Sequence, residues 1–302
     1  MTGVSDKIAK AVGGKTVGIL HPGAMGASVA AAARAGGARV LWASEGRSAA
    51  TADRAAAAGL EDAGTLVEVC RQAAVILSIC PPDAAEEQAE TVMAAGFQGV
   101  YVDGNAIAPE RARRIAGRVE AAGARYVDGG IIGPPATATS ATCLYLSGAE
   151  ASNVAALFAG TVLEARVLDE TPDRASALKM CYAAQTKGLT ALLCALVAAA
   201  EELGVRGALF ERWAGEDAAK PNQVAERIRG VTAKAWRFEG EMREIAATLD
   251  AAGLPGGFHL AAAELYARLA HFKEAGETPP LDAVLDALTG ADAEATVAAA
   301  GE

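Results

Sequence analysis

An apolar run over residues 16–21 passes straight into Pro22-Gly23-Ala24-Met25-Gly26, and from there into the alanine-rich stretch 27–35. No other feature restricts the fold as tightly. A strand that becomes a helix through closely spaced glycines leaves the first helical N–H groups and the positive end of the dipole facing outward. Gly23 lets a diphosphate approach the main chain, and Gly26 lets the helix lie close to the strand. His21 stands where a G-x-G-x-x-G turn has its first glycine, so the match is incomplete. His21, Pro22, Gly23, Ala24, Met25 and Gly26 are the expected dinucleotide contacts.

The turn does not stand alone. Short apolar runs recur at residues 39–43, 75–79, 100–102 and 125–127, separated by alanine-rich stretches of helical length. Runs without polar alternation suit strands buried on both faces, as in a parallel sheet with helical crossovers. Two further runs, 143–146 and 166–168, extend the sheet on either side of a helix around Val154. Beyond Leu168 the segment Asp169-Glu170-Thr171-Pro172-Asp173 is polar and contains a proline. It leads into a periodic stretch over residues 175–203, long for one helix, and helical patterns continue to the end. The fold class read here is α/β: an N-terminal Rossmann-type parallel-sheet domain over 1–170, joined by a long helix to an all-α domain within 171–302. Residues 290–302 are expected to fray.

Composition narrows the function. Hydrophobic residues are 52 % of the chain, which excludes intrinsic disorder, and aromatics only 5 %, which argues against an aromatic-rich β-sandwich. Twenty-seven basic residues against 37 acidic ones give a net charge of −10, unfavourable for nucleic acid or an anionic membrane. The five cysteines, Cys70, Cys80, Cys143, Cys181 and Cys194, are an odd number without a C-x-x-C pair, so neither a disulfide framework nor a metal site is expected. Residues 1–15 lack the apolar core of a signal peptide. The apolar stretch 188–200 is shorter than the roughly 20 residues of a bilayer span and is closed by Glu201 and Glu202. Cytoplasmic location is the expectation.

The end of the second strand bears on the cofactor. An acidic side chain there accepts ribose hydroxyls, whereas an arginine pairs with a 2′-phosphate. Arg47, with the hydroxyls of Ser44, Ser48 and Thr51 around it, offers donors that match phosphate oxygens. Glu45 fits the competing role. The balance favours NADP (NADPH) over NAD. On the long helix, Lys179, Tyr182, Thr186 and Thr190 fall on one stripe at about 100° per residue, with Lys187 at its edge. Lys179 can protonate a developing alkoxide or take the alcohol proton in reverse, with Tyr182 the next candidate. The competing accounts are a surface lysine, core packing of the tyrosine, and a salt bridge at Lys187. Asn105 is either a ligand contact or a turn former, and His259 a structural or pocket-lining histidine.

The order of these motifs resembles the β-hydroxyacid dehydrogenase superfamily, which includes 3-hydroxyisobutyrate and 6-phosphogluconate dehydrogenases, with imine reductases a related branch. Gly23-Ala24-Met25-Gly26 is similar to its G-x-M-G turn, and Cys80-Pro81-Pro82-Asp83 to its nicotinamide-side loop. Asp103-Gly104-Asn105 opens a segment similar to D-x-S-T-x-x-P, and residues 128–133 lie where its substrate loop falls. The resemblance implies an NAD(P)-dependent oxidoreductase acting on a small hydroxy or oxo compound, with Lys179 catalytic. It also implies Asn105, Gly130, Ile131 and Lys187 near substrate, Asn105 beside the nicotinamide ribose, and a homodimer interlocked through the long helix. Two departures stand out: Ile132 replaces the substrate-loop serine, and Ala183 the usual asparagine. An imine reductase and a non-catalytic dinucleotide-binding protein are the alternatives.

Overall fold

A computed structural model describes residues 15–290. The expectations for residues 1–14 and 291–302 lie outside these. The chain divides into two compact units, one ending at Met180 and the other starting at Cys181.

The first unit is an eight-stranded sheet in the order β3-β2-β1-β4-β5-β6-β7-β8. Its strands are β1 (Thr16–Ile19), β2 (Arg39–Trp42), β3 (Glu61–Asp62), β4 (Val75–Ser78), β5 (Val100–Asp103), β6 (Arg125–Ile132), β7 (Cys143–Ser147) and β8 (Glu164–Val167). All neighbours pair parallel except β6 and β7, which run antiparallel. The sheet is thus parallel as expected but for this one pair, and the reason is local. Residues 133–142 contain no helix to carry a parallel crossover, so the chain doubles back. The two-residue β3 is too short and too polar to announce itself in sequence, and β8 begins two residues earlier than its apolar run.

Alternate strand residues feed two helical layers. Val17, Ile19, Val75 and Leu77 pack with Val29, Ala30 and Ala33 of α1 (Ala24–Ala35). Ile76 and Tyr101 pack with Ala89 and Val92 of α4 (Ala85–Ala94) and Ile115 and Val119 of α5 (Pro109–Ala121). Between β2 and α4 lie α2 (Ala49–Ala57) and α3 (Leu66–Gln72), and before β8 the short α6 (Ala151–Ala155). At Gly36 the packing is closer than even alanine allows, since a Cβ there would stand 2.0 Å from the Leu157 carbonyl oxygen.

The expected long helix is α7 (Arg174–Glu202), with a π-helical turn over Ala184–Gly188. The π turn disturbs the regular ladder of backbone bonds, and side chains take up two carbonyls there. The Lys187 carbonyl accepts from the Tyr266 hydroxyl at 2.7 Å and that of Thr186 from Arg227 at 2.7 Å. The compact units divide inside this helix, ten residues beyond the boundary expected at 170, because its first turn is bonded to the sheet. By length and composition α7 passes the threshold for a membrane span, which the shorter 188–200 stretch did not. Its second half buries Ala191, Cys194 and Val197.

The second unit continues with α8 (Arg206–Ala214), α9 (Lys220–Ala251), α10 (Gly257–Arg268) and α11 (Leu281–Thr289). Pro221 sits in the first turn of the 32-residue α9, where its missing N–H is harmless. Gly290 ends α11 in the left-handed conformation that glycine adopts freely.

Candidate active site

The strand order reverses around β1, which is flanked by β2 and β4. Ligands of open α/β sheets bind at such a switch point, beyond the carboxyl ends of the strands. The turn 20–23 after β1, the loop 43–48 after β2, the loop 79–81 after β4 and Asn105 after β5 all leave from that edge.

Two glycines of the first turn have opposite surroundings. A Cβ on Gly26 would lie 2.1 Å from the His21 carbonyl oxygen, so only glycine fits. A Cβ on Gly23 would meet nothing within 4 Å. Gly23 is the N-cap of α1 and supplies no side-chain acceptor, so the helix N-terminus opens onto that space. A helix N-terminus without a side-chain cap, with room at the glycine, fits a dinucleotide diphosphate. Ala24 is exposed, Pro22 buried and Met25 half-buried at its rim. His21 Nδ1 is buried without a partner among the described residues. Burial, with the Arg47 charge adding, pushes its imidazole down to about 4, so the ring is neutral at pH 7.

Beyond β2, Gly46 has φ +71°, and the Arg47 N–H donates to the Ser44 carbonyl at 3.0 Å, which leaves Arg47 exposed on a tight turn. Ser48 caps α2 and lies 3.1 Å from the Thr51 hydroxyl. Ser44 is half-buried, and its hydroxyl bonds to the Asp62 carboxylate. Arg54 escaped the sequence reading. Its Nε donates to the Pro22 carbonyl at 3.1 Å and its Nη2 to Thr51 at 3.0 Å, which joins the phosphate turn to α2. The signal available was its spacing, one turn beyond Thr51.

Asn105 lies behind the loop that follows β4. Its side chain is buried. Its Oδ1 accepts from the Cys80 N–H at 2.6 Å, while its Nδ2 donates to Asp103 at 2.6 Å and to Ser78 at 3.3 Å. With both ends of the amide engaged, Asn105 acts on the loop Cys80-Pro81-Pro82. Arg111 holds the Pro82 carbonyl at 3.0 Å. Burial, reinforced by Asp103, pushes the Cys80 thiol up to about 12, which removes it as a thiolate nucleophile at neutral pH.

Strand β6 meets the start of α7 at three points. Asp128 accepts from the Ser176 N–H at 2.8 Å and from its hydroxyl at 2.5 Å. A Cβ on Gly130 would stand 2.6 Å from the Ala175 carbonyl oxygen and 3.1 Å from Lys179 Cβ. The Ile131 carbonyl accepts from Lys179 Nζ at 2.6 Å. Gly130 and Ile131 therefore both lie against Lys179. Neither the cap at Ser176 nor its role was visible beforehand, since the partners are 48 residues apart.

In the helical unit, Tyr182 is exposed. Lys187 is not available as a ligand contact. It is half-buried, ion-paired with Glu241 and stacked 4.4 Å over the Phe238 ring, the salt bridge that competed with the binding role. Thr190 is also withdrawn, bonded to Arg227 at 2.7 Å and to the Thr186 carbonyl at 3.0 Å. His259 is buried, within 2.9 Å of where a Cβ on Gly188 would lie. All five cysteines are free thiols. Among the described residues no three His, Cys, Asp or Glu side chains gather as metal ligands.

Comparison with known proteins agrees with this geometry. Residues 16–165 match the NAD-binding domain of 6-phosphogluconate dehydrogenase, and residues 200–269 a domain of unknown function, DUF1932. No curated protein gives a significant match. One similar solved structure is a conserved protein described as structurally similar to 3-hydroxyacid dehydrogenases. It is 26 % identical with a TM-score of 0.61, over 85 % of this chain and 97 % of that one. The Mycobacterium tuberculosis 3-hydroxyisobutyrate dehydrogenase, solved with L-serine, is 20 % identical with a TM-score of 0.64, over 91 % and 99 %. An imine reductase from Streptomyces aurantiacus is 21 % identical with a TM-score of 0.51, over 90 % and 99 %. A sheet edge with an open phosphate cradle, followed by a lysine-bearing helix, thus sits on a matched dinucleotide-binding domain, and the chain is an NAD(P)-dependent oxidoreductase by its nucleotide-binding domain and is similar to the β-hydroxyacid dehydrogenase superfamily.

Proposed function

We propose that this chain is an NADP-dependent oxidoreductase that moves a hydride between the nicotinamide and a small hydroxy or oxo compound, with Lys179 managing the proton. The observation that carries the reading is the position of Lys179 Nζ, held 2.6 Å from the Ile131 carbonyl at the end of β6, in the same unit as the open cradle at Gly23.

The dinucleotide supplies the hydride when bound. The chain supplies the rest. The turn from His21 to Gly26 receives the diphosphate, and Arg47 with Ser44 and Ser48 receives the 2′-phosphate. Cys80, Pro81 and Pro82 border the nicotinamide, Gly130 and Ile131 the substrate. Lys179 gives its proton to the developing alkoxide, and the Ile131 carbonyl keeps the amine aimed while it does so. Tyr182, on the same stripe of α7 in sequence, is the second candidate proton donor. Ile132 and Ala183, in place of polar side chains, favour a substrate less dependent on carboxylate binding than a simple hydroxy acid.

We also propose a cytoplasmic homodimer. Leu189, Leu192, Leu196 and Leu203 recur at helical spacing on or just beyond α7 and stay exposed, a stripe that a second copy would cover. Sedimentation at micromolar concentration tests it, and a stable monomer contradicts it.

The deciding experiment follows loss of NADPH absorbance with a panel of 3-oxo acids, simple aldehydes and ketones, and cyclic imines. Turnover of an oxo compound that Lys179→Ala abolishes supports the reading. Turnover of imines alone moves the chain to the imine reductase alternative. NADPH binding without turnover of any member supports the non-catalytic alternative.

A further inference from the structure

Asp103 ends β5 and Asp128 lies directly across from it on β6. Both side chains are buried, at 1 % and 0 % exposure, although buried carboxylates are costly unless something uses them. Their bonds lead in two directions. Asp103 accepts from the Asn105 N–H at 3.1 Å and from its Nδ2 at 2.6 Å, and Asn105 in turn holds the Cys80 N–H. Asp128 accepts both donors of Ser176, and Ser147, which donates to Asp128 at 3.3 Å, accepts the Ala175 N–H at 3.1 Å. Two of the otherwise unpaired N–H groups in the first turn of α7 are thereby capped from the sheet.

Lys179 is three residues beyond Ser176, on the same face of the helix. With Gly130 leaving no room for the helix to roll against β6, the cap at Ser176 fixes where the Lys179 amine falls. We propose that Asp103 and Asp128 are a pair of positioning residues for the two walls of the site: Asp103 sets the Cys80 loop through Asn105, and Asp128 sets the helix carrying Lys179 through Ser176. The catalytic meaning of the two walls rests on the function proposed above. The mechanical links do not, and they are measurable without a substrate.

The test uses the full chain without ligand. Acetylation of Lys179 by acetic anhydride and deuterium exchange at the Cys80 amide, the N–H that Asn105 holds, are timed by peptide mass spectrometry, with Lys220 and the Cys194 amide as internal controls. Loss of a cap loosens the first helical turn by roughly 1 kcal/mol, so the expected rate change is about fivefold. Asp128→Ala and Ser176→Ala raise the Lys179 rate by that factor and leave Cys80 alone. Asp103→Ala raises the Cys80 rate and leaves Lys179 alone. Asp128→Asn restores slow acetylation, because its amide oxygen still accepts the Ser176 N–H and its NH2 can donate to the Ser176 hydroxyl.

A uniform rise at both sites and both controls means general loosening and overturns the proposal, as does no change at either site in folded variants. If the Asp→Ala chains do not fold, Ser176→Ala decides alone, since it removes one hydroxyl and leaves a good helix former. The expected pattern without NADPH turnover would sink the proposed function and leave the positioning pair standing.

Discussion

Asp103 and Asp128 face each other across β5 and β6, and both carboxyls are held above the ordinary carboxylate range. Burial pushes Asp103 up to about 7, with the Asp128 charge adding, and burial pushes Asp128 up to about 6 against the hydrogen bonds from Ser176. The folded state therefore keeps protons that the unfolded chain releases.

The sign of the resulting pH dependence follows. Between about pH 4 and 7 the native state binds more protons than the unfolded one, so stability falls as pH rises through that window. Asp103→Asn keeps the oxygen that accepts from Asn105 and carries no charge. It is expected to match the wild type below about pH 4 and to exceed it above pH 7 by on the order of 1–3 kcal/mol. Urea denaturation at pH 4 and pH 8 checks this. A variant less stable than wild type at pH 8 would show that the Asp103 charge is favoured.

The two glycines of the phosphate turn separate folding from binding. Gly26→Ala forces a Cβ against the His21 carbonyl, so it is expected to destabilise by roughly 1–3 kcal/mol and to lose NADPH binding. Gly23→Ala meets no atom within 4 Å and its φ of −68° suits alanine, so the protein should unfold at the wild-type temperature. It should still bind NADPH at least about tenfold more weakly, because the methyl group occupies the approach of the diphosphate. Thermal unfolding and fluorescence titration of both variants distinguish the two effects.

Arg47→Ala addresses the choice of dinucleotide. Its exposed guanidinium on the turn after β2 is expected to meet the 2′-phosphate, so the variant should bind NADPH about 10- to 100-fold more weakly with NADH affinity unchanged. Equal weakening for both nucleotides would place Arg47 at a shared part of the molecule.

Much of the fold was legible because its signals are local. Strand–turn–helix at residues 16–35 and the polar break at 169–173 each show within a short window. The antiparallel β7 was not, because direction depends on what the connection 133–142 fails to contain. In the phosphate turn, the need for glycine at Gly26 and the open space at Gly23 follow from backbone chemistry that a sequence displays. At Asn105 and Lys187 the sequence left two accounts open. A polar side chain near a site looks the same in sequence whether it faces a ligand or a buried partner, and Cys80 and Glu241 lie 25 and 54 residues away. Asp128 as a cap for Ser176 was hidden for the same reason.

Lys179→Met removes the charge at nearly constant volume. Turnover is expected to fall by about 10²- to 10⁴-fold, the usual contribution of a positioned acid or base, with NADPH affinity within about threefold of wild type. Loss of nucleotide binding along with turnover would make Lys179 a cofactor contact.

The most direct measurement is a fluorescence titration of the unmodified protein with NADPH and, separately, NADH. Saturable binding of one dinucleotide per chain, tighter for NADPH and displaced by inorganic diphosphate, is the predicted result. A flat titration with both nucleotides would contradict the cradle at Gly23 and, with it, the assignment of an oxidoreductase.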